Sequence, residues 1–143
     1  MLYLGSDHNG VYLKNQIKKL LELENIEFED IGPSRVNITD DYPDIAKKVC
    51  QKVLENEFNR GILICKSGQG VCMASNRMQG IRAAQAMSVD MAEAGRNDDN
   101  INVLCLSSHW QNERESSKII KKFLSTKFNE QQRLLRRIKK LDK

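Results

Sequence analysis

The sequence is poor in the residues that mark metal-binding and disulfide-stabilised proteins. It has only two histidines, and its four cysteines form no C-x-x-C pair and no set with histidine at zinc-ligand spacing. We therefore expect neither a metal site nor a disulfide framework. Reduced thiols are typical of a cytoplasmic protein. The cysteines lie at positions 50, 65, 72 and 105.

Long apolar runs are also missing. No run approaches the roughly 18 residues needed to cross a bilayer, so we expect no membrane partner. The first residues already have the pattern of a strand, and we expect a protein that is not exported. With 143 residues the chain fits one domain, residues 1–143, that can bury a single core.

Aromatic residues make up only 6% of the chain, and the excess positive charge is confined to one end. The formal net charge is +4, but residues 133–143 hold six Lys or Arg and one Asp, so the remainder has a net charge of −1. Nucleic-acid binding favours a basic surface interleaved with aromatic side chains. The sequence therefore argues against a nucleic-acid partner.

Short apolar runs alternate with longer amphipathic stretches along the whole chain. Continuous apolar strands separated by helix-length segments predict a parallel sheet covered on both faces. The predicted fold is α/β, a three-layer, Rossmann-like, doubly wound sheet of about five parallel strands with a C-terminal basic helix at about 130–141. The predicted strands are 2–6, 26–31, 61–65, 81–87 and 102–107. The predicted helices are 11–23, 42–57, 71–78, 89–98, 112–125 and 130–141.

One strand ends on a cysteine that is followed at once by a glycine-punctuated loop. The segment Gly61-Ile-Leu-Ile-Cys65 runs into Lys-Ser-Gly68-Gln-Gly70, and apolar residues at helical spacing follow. Backbone N–H groups at the start of that helix would stabilise a thiolate and a developing oxyanion. A glycine turn beside an inert buried cysteine is the alternative interpretation.

The first strand also ends on polar residues, Asp7-His8-Asn9-Gly10. In doubly wound sheets ligands bind beyond the carboxyl ends of the strands, where strand order reverses. We therefore expect this segment to meet the Cys65 loop at one edge of the sheet.

Arg133 and Arg137 are one helical turn apart in the basic tail. Two guanidiniums at this spacing can hold one phosphate through charge-assisted hydrogen bonds. A solvated basic face on a helix that packs through its leucines is the alternative.

Six segments follow one another in a specific order: Asp7-His8, Asp41-Tyr-Pro43, Gly61 to Gly70, Asn76-Arg-x-x-Gly80-Ile-Arg-Ala83, Asn102-Val-Leu and the tail arginines. In this order they resemble the ribose-5-phosphate isomerase B family, which also contains galactose-6-phosphate and allose-6-phosphate isomerases. The resemblance covers nearly the whole chain. It implies a cofactor-free aldose–ketose isomerase whose active sites are shared within a homodimer or a dimer of dimers.

The resemblance also implies roles for individual residues. Cys65 is the thiol that moves a proton between C2 and C1 through a cis-enediolate, and Ser67 lies beside the substrate. The residues implied to bind the phosphorylated sugar are Asp7, His8, Ser67, Gly68, Gly70, Asp99, Arg133 and Arg137.

The chain departs from the family where a histidine is thought to assist opening of the furanose ring. Asp98 stands in that place, so either Asp98 takes over as a catalytic group, or His8 does, or Asp98 merely ends a helix. Lys66 replaces a common glycine, and His109 stands where the family has another arginine. The residues of the proton-transfer centre match the family, so these departures affect which sugar phosphate is the substrate.

Ribose 5-phosphate is the predicted substrate, and three alternatives stay open. One is the same chemistry on a hexose 6-phosphate such as allose or galactose 6-phosphate. Another is a non-catalytic phosphosugar-binding or regulatory protein. The third, a basic-tailed nucleic-acid binder, is disfavoured because the tail charges match a phosphate clamp.

Overall fold

The computed structural model describes residues 1–142, which form one five-stranded sheet and six helices. The strands are β1 (Leu2–Ser6), β2 (Phe28–Asp30), β3 (Arg60–Cys65), β4 (Ala83–Gln85) and β5 (Val103–Ser107). The helices are α1 (Val11–Leu23), α2 (Tyr42–Leu54), α3 (Gln69–Ser75), α4 (Val89–Asp99), α5 (Glu113–Ser125) and α6 (Gln132–Leu141). Within residues 1–142 no helix is long and apolar enough to span a bilayer.

The sheet is parallel throughout, and its strands lie in the order β2-β1-β3-β5-β4. The strand that follows β1 in the chain lies on one side of it within the sheet, whereas the strands that follow β3 lie on the opposite side. Strand order therefore reverses between β1 and β3, where Ser6 pairs with Ile64. This is the position at which doubly wound sheets bind ligands, and the predicted α/β fold with its C-terminal helix is confirmed.

Two apolar cores lie on opposite faces of the sheet. Alternate residues of β3 point to each, so Ile62 and Ile64 pack with α1, α4 and α5, whereas Leu63 and Cys65 pack with α2 and α3. The three central strands β1, β3 and β5 are covered on both faces and are buried at nearly every position, whereas the edge strand β2 carries Glu29 and Asp30. Cys65 is the last residue of the buried strand β3.

Several predicted boundaries were wrong by a few residues. β4 is three residues long rather than seven, because Arg82 bonds to Asn100 and Asn102 before strand pairing begins. α2 ends at Leu54 rather than residue 57, where Asn56 accepts the Phe58 N–H and starts a turn. α3 begins two residues early, at Gln69, because Gly68 takes its N-cap position.

The loop between β2 and α2 is fastened to α1 through a buried lysine. Lys14 Nζ donates to the Asp30 carboxylate and to the Pro33 carbonyl, both at 2.7 Å. Burial lowers the pKa of Lys14, and Asp30 opposes that shift. This attachment holds the loop that carries Asp40 across the carboxyl edge of the sheet.

Candidate active site

Cys65 is delivered to the carboxyl edge by β3 and is only 4% exposed. The loop that follows turns back on it, so that the Gly68 N–H donates to Cys65 Sγ at 3.1 Å. The sulfur is therefore held against the backbone of the loop. The amides of Gly70 and Val71, in the first turn of the helix, donate to no acceptor within the described residues.

The loop depends on the backbone conformation of Gly68. Its φ is +78°, a region that residues with a Cβ rarely adopt, and an added Cβ would lie 2.8 Å from Gln85 Nε2. Gln85 Nε2 donates to the Ser67 carbonyl at 2.5 Å, and the Ser67 hydroxyl accepts the Gln69 N–H. β4 therefore braces the loop through Gln85, a role that no sequence motif indicated.

The end of β5 supports the same loop from its other side. The Ser107 hydroxyl donates to the Lys66 carbonyl at 2.7 Å, and the Ser108 N–H donates to the Cys65 carbonyl at 3.0 Å. The side chains of Lys66 and His109 are both exposed. The thiol is thus held between two strand ends, while Lys66 extends into solvent.

Asp7 lies beside this loop, because its N–H donates to the carbonyl of Ile64, the residue before Cys65. Its carboxylate is buried and accepts the N–H groups of Asn9 and Gly10. Burial raises the pKa of Asp7, and the two N–H donors and His8 oppose that rise. The expected meeting of the first and third strand ends is what the structure shows.

His8 is paired with Asp40, a residue that the sequence did not single out. His8 Nδ1 lies 2.6 Å from Asp40 Oδ1, which also accepts the His8 backbone N–H at 3.1 Å. The hydrogen bond to Asp40 raises the pKa of His8. The other ring nitrogen, Nε2, faces the exposed amide of Asn9 at 3.0 Å. The one sequence signal for Asp40 was its position directly before the Asp41-Tyr-Pro43 segment.

The remaining predicted site residues lie at the opposite edge of the sheet. Asp98 and Asp99 are exposed at the end of α4, and the Asn97 amide donates to Asp98 at 2.6 Å. Arg133 and Arg137 are exposed on α6 and form no ion pair within residues 1–142. A single chain therefore places one set of predicted residues at the carboxyl edge, namely Cys65, Asp7, His8, Ser67, Gly68 and Gly70. The other predicted residues, Asp98, Asp99, Arg133 and Arg137, lie apart from Cys65.

The family model described as Ribose/Galactose Isomerase matches residues 2–141. The chain belongs to this family. A probable ribose-5-phosphate isomerase B of Mycoplasma genitalium is 43% identical over 141 residues, which are 98% of this chain and 92% of the relative.

Two solved structures of the family are closely similar. A ribose 5-phosphate isomerase of Thermotoga maritima superposes with a TM-score of 0.93 at 40% identity and covers 99% of this chain and 96% of its own. Ribose-5-phosphate isomerase B from Mycoplasma genitalium, solved with bound ribulose-5-phosphate, gives 0.92 at 42% identity, covering 98% and 92%. The family assignment makes this protein an isomerase.

The amino edge of the sheet, in this isomerase, carries a cavity of about 1010 Å³. Arg60, Arg82 and Arg96 line it, and burial together with these neighbouring charges lowers the pKa of Arg96 to about 10. Arg82 pairs with Asp142 at 2.7 Å, which fastens the end of α6 to the start of β4. The lining residues do not include Cys65, so the cavity is separate from the thiol.

The other three cysteines lie on two helices and a strand. Cys50 and Cys105 are buried, and Cys72 is half-buried. The neighbouring Cys105 thiol lowers the pKa of Cys72 to about 7, while burial raises that of Cys105. Within residues 1–142 there is no cluster of His, Cys, Asp or Glu suited to a metal ion.

Proposed function

We propose that the chain is a single-domain, cytoplasmic isomerase that interconverts ribose 5-phosphate and ribulose 5-phosphate, with Cys65 as the group that moves the proton. The observation that carries this proposal is the thiol at the end of β3, with the Gly68 N–H on its sulfur and Asp7 beside it. The Mycoplasma genitalium relative with bound ribulose-5-phosphate supports this choice of substrate.

The reaction needs a base, an oxyanion site and the same proton returned one carbon away. The Cys65 thiolate takes the proton from C2 of the open aldose, and the electrons move onto the carbonyl oxygen to give a cis-enediolate. The free N–H groups of Gly70 and Val71 stabilise that oxygen. The proton of the C2 hydroxyl passes to the oxygen on C1 within the enediolate, and Cys65 then returns its proton to C1, which gives the ketose without any net oxidation.

The site is completed, in this proposal, by a second copy of the chain. Asp98, Asp99, Arg133 and Arg137 lie at the edge opposite Cys65 and are exposed, so they cannot reach the thiol of their own chain. In a homodimer with shared sites, or in a dimer of dimers, the partner would supply them. The two arginines would then hold the sugar phosphate.

A hexose 6-phosphate is the second candidate substrate, because the matching family model covers galactose isomerases as well. The catalytic residues would be the same, and only the length of the sugar between the thiol and the phosphate site would differ. A non-catalytic phosphosugar-binding protein is a third outcome that the same experiment separates.

A coupled assay of the purified full chain with ribose, allose and galactose phosphates tests the proposal. We expect turnover of ribose 5-phosphate that falls by about 100- to 10,000-fold in Cys65→Ser, with an unchanged melting temperature. Cys72→Ser is the matched control, because that thiol lies outside the loop, and it should retain near-normal turnover. Near-normal activity of Cys65→Ser would refute the role of the thiol. Binding without turnover would favour the regulatory alternative.

A further inference from the structure

Three arginine side chains lie together in the cavity at the amino edge of the sheet. Arg60 begins β3, Arg82 directly precedes β4, and Arg96 lies in the last turn of α4. Arg96 is only 4% exposed, and the other two arginines are half-buried. Two of the lining carboxylates, those of Glu57 and Glu130, are exposed. The arginines therefore form the buried side of the cavity, and these carboxylates lie on its exposed side.

Each of these guanidiniums has one nitrogen, Nη2, that donates to no acceptor within residues 1–142. The other donors, Nη1 of Arg60 and both Nε and Nη1 of Arg82 and Arg96, bond to backbone carbonyls, to the Asn100 amide oxygen and to Asp142. These bonds fix the orientation of the three side chains. None of the Nη2 atoms is among the fully buried polar atoms that lack a partner, so each is open to solvent. The cavity therefore presents three oriented N–H donor groups.

The three positive charges are only partly compensated. Asp142 pairs with Arg82 at 2.7 Å, but within residues 1–142 no carboxylate forms an ion pair with Arg60 or Arg96. Burial and the charge of Arg82 lower the pKa of Arg60, and burial with both neighbouring charges lowers the pKa of Arg96 to about 10. Buried cations are costly unless an opposite charge lies close to them. An anion bound in the cavity would remove that cost.

The size of the cavity and the shape of its donors indicate which anion would fit. Its volume of about 1010 Å³ is at the upper end of the range for small-molecule sites, about 300–1,000 Å³. The planar fork of a guanidinium matches the oxygens of a phosphate group, which accept several charge-assisted hydrogen bonds at once. A phosphate or diphosphate group carries more charge and more acceptor oxygens than a single carboxylate. Three guanidiniums around one cavity therefore favour a phosphorylated ligand.

We propose that the cavity at the amino edge binds the phosphate or diphosphate group of a small molecule through the Nη2 groups of Arg60, Arg82 and Arg96. This site goes beyond the proposed function, because neither Cys65 nor the tail arginines line it. Its ligand is a second phosphorylated molecule, bound in addition to the sugar phosphate. The bound anion joins the start of β3 and the start of β4 to the end of α4.

The experiment is a calorimetric titration of the full chain with inorganic pyrophosphate in phosphate-free buffer. The parent protein is Arg133→Gln/Arg137→Gln, which lacks the proposed phosphate clamp, so that the remaining heat reports on the cavity. We expect saturable binding of one pyrophosphate per chain. Adding Arg60→Gln should raise Kd about 10- to 100-fold, because one charge-assisted contact is lost. Arg114→Gln, which removes an exposed arginine of α5 that does not line the cavity, is the control and should leave Kd unchanged.

Asp142→Asn in the same parent should have the opposite effect. It removes the carboxylate that pairs with Arg82, so pyrophosphate should bind about 2- to 5-fold more tightly. A loss of structure cannot tighten binding, so this variant keeps the test decisive if Arg60→Gln folds poorly. The absence of saturable heat at millimolar pyrophosphate, or an unchanged Kd in either variant, would overturn the site. A wild-type chain without any turnover of ribose 5-phosphate would refute the proposed function and leave the binding result standing.

Discussion

The two edges of the sheet carry different chemistry although the same strands connect them. The carboxyl edge holds a thiol, a buried carboxylate and a histidine–carboxylate pair, all fixed by short hydrogen bonds. The amino edge holds arginines, and two of these, Arg133 and Arg137, are exposed on a terminal helix. Proton transfer requires a precisely held group, and exposed arginines are suited to charge-assisted hydrogen bonds with a phosphate.

In the proposed function, the two halves of the phosphosugar site therefore lie at opposite edges of one chain. The groups at the carboxyl edge are fixed by the strand ends, and the arginines face solvent on the other side. A two-fold arrangement of two chains would bring the carboxyl edge of one to the amino edge of its partner, twice over.

Mixing two inactive chains tests that arrangement and has the largest expected effect. Cys65→Ser lacks the thiol, and Arg133→Gln/Arg137→Gln lacks the phosphate clamp, so each alone should show little turnover at low substrate concentration. After refolding together, half of the dimers would be mixed and each would contain one intact site. We expect about a quarter of wild-type activity. Activity no greater than the sum of the separate chains would disprove shared sites.

Arg137→Gln alone should separate binding from chemistry. Losing one charge-assisted phosphate contact should raise KM about 10- to 100-fold with little change in kcat. Arg136→Gln is the matched control, since it removes a neighbouring exposed charge from the same helix. Steady-state kinetics of both variants test this prediction. An equal rise in KM for both variants would mean that substrate binding depends only on the total charge of the tail.

Gly68→Ala tests the precision of the carboxyl edge. An alanine there meets both the positive φ and the Gln85 amide, so the loop must shift and Cys65 Sγ loses its N–H partner. We expect kcat to fall about 10-fold and the free energy of unfolding to fall by about 1–2 kcal/mol. Gln69→Ala, at the exposed neighbouring position, should leave both unchanged, as judged by kinetics and urea unfolding.

Asp142→Asn should have the smallest effect. The ion pair with Arg82 is partly exposed and fastens the last turn of α6, so its loss should lower the free energy of unfolding by about 1 kcal/mol or less. The turnover of Asp142→Asn should equal that of the wild type. Glu130→Gln, which removes an exposed charge at the same cavity, is the matched control. A large loss of activity in Asp142→Asn would show that the ion pair with Arg82 sets the position of α6.

The sequence was sufficient to predict the fold because each element has its own pattern. Apolar runs marked the buried strands, and the segment around Cys65 identified a strand-to-loop-to-helix turn at the correct place. The boundary errors arose where side chains decide the ends, as when Arg82 bonds to Asn102 ahead of β4. Periodicity carries no information about such single contacts.

The candidate site was less accessible to sequence reasoning. Asp40 lies 32 residues from His8 along the chain, and only the path of the loop brings their side chains together. Gln85 supports the Cys65 loop from a short strand without any recognisable pattern. Sequence order also could not show that Asp98 and the tail arginines would lie across the sheet from Cys65. The roles of these site residues remain predictions.

The neighbouring thiols Cys72 and Cys105 bear on the design of covalent inhibitors. Cys72 is half-buried with its pKa lowered to about 7, whereas Cys65 is 4% exposed behind its loop. An alkylating reagent at neutral pH should therefore modify Cys72 first. Loss of activity after labelling would then report on the wrong sulfur unless mass spectrometry locates the adduct. If the proposed function holds, a reagent selective for the Cys65 loop will need a sugar-phosphate portion that binds there.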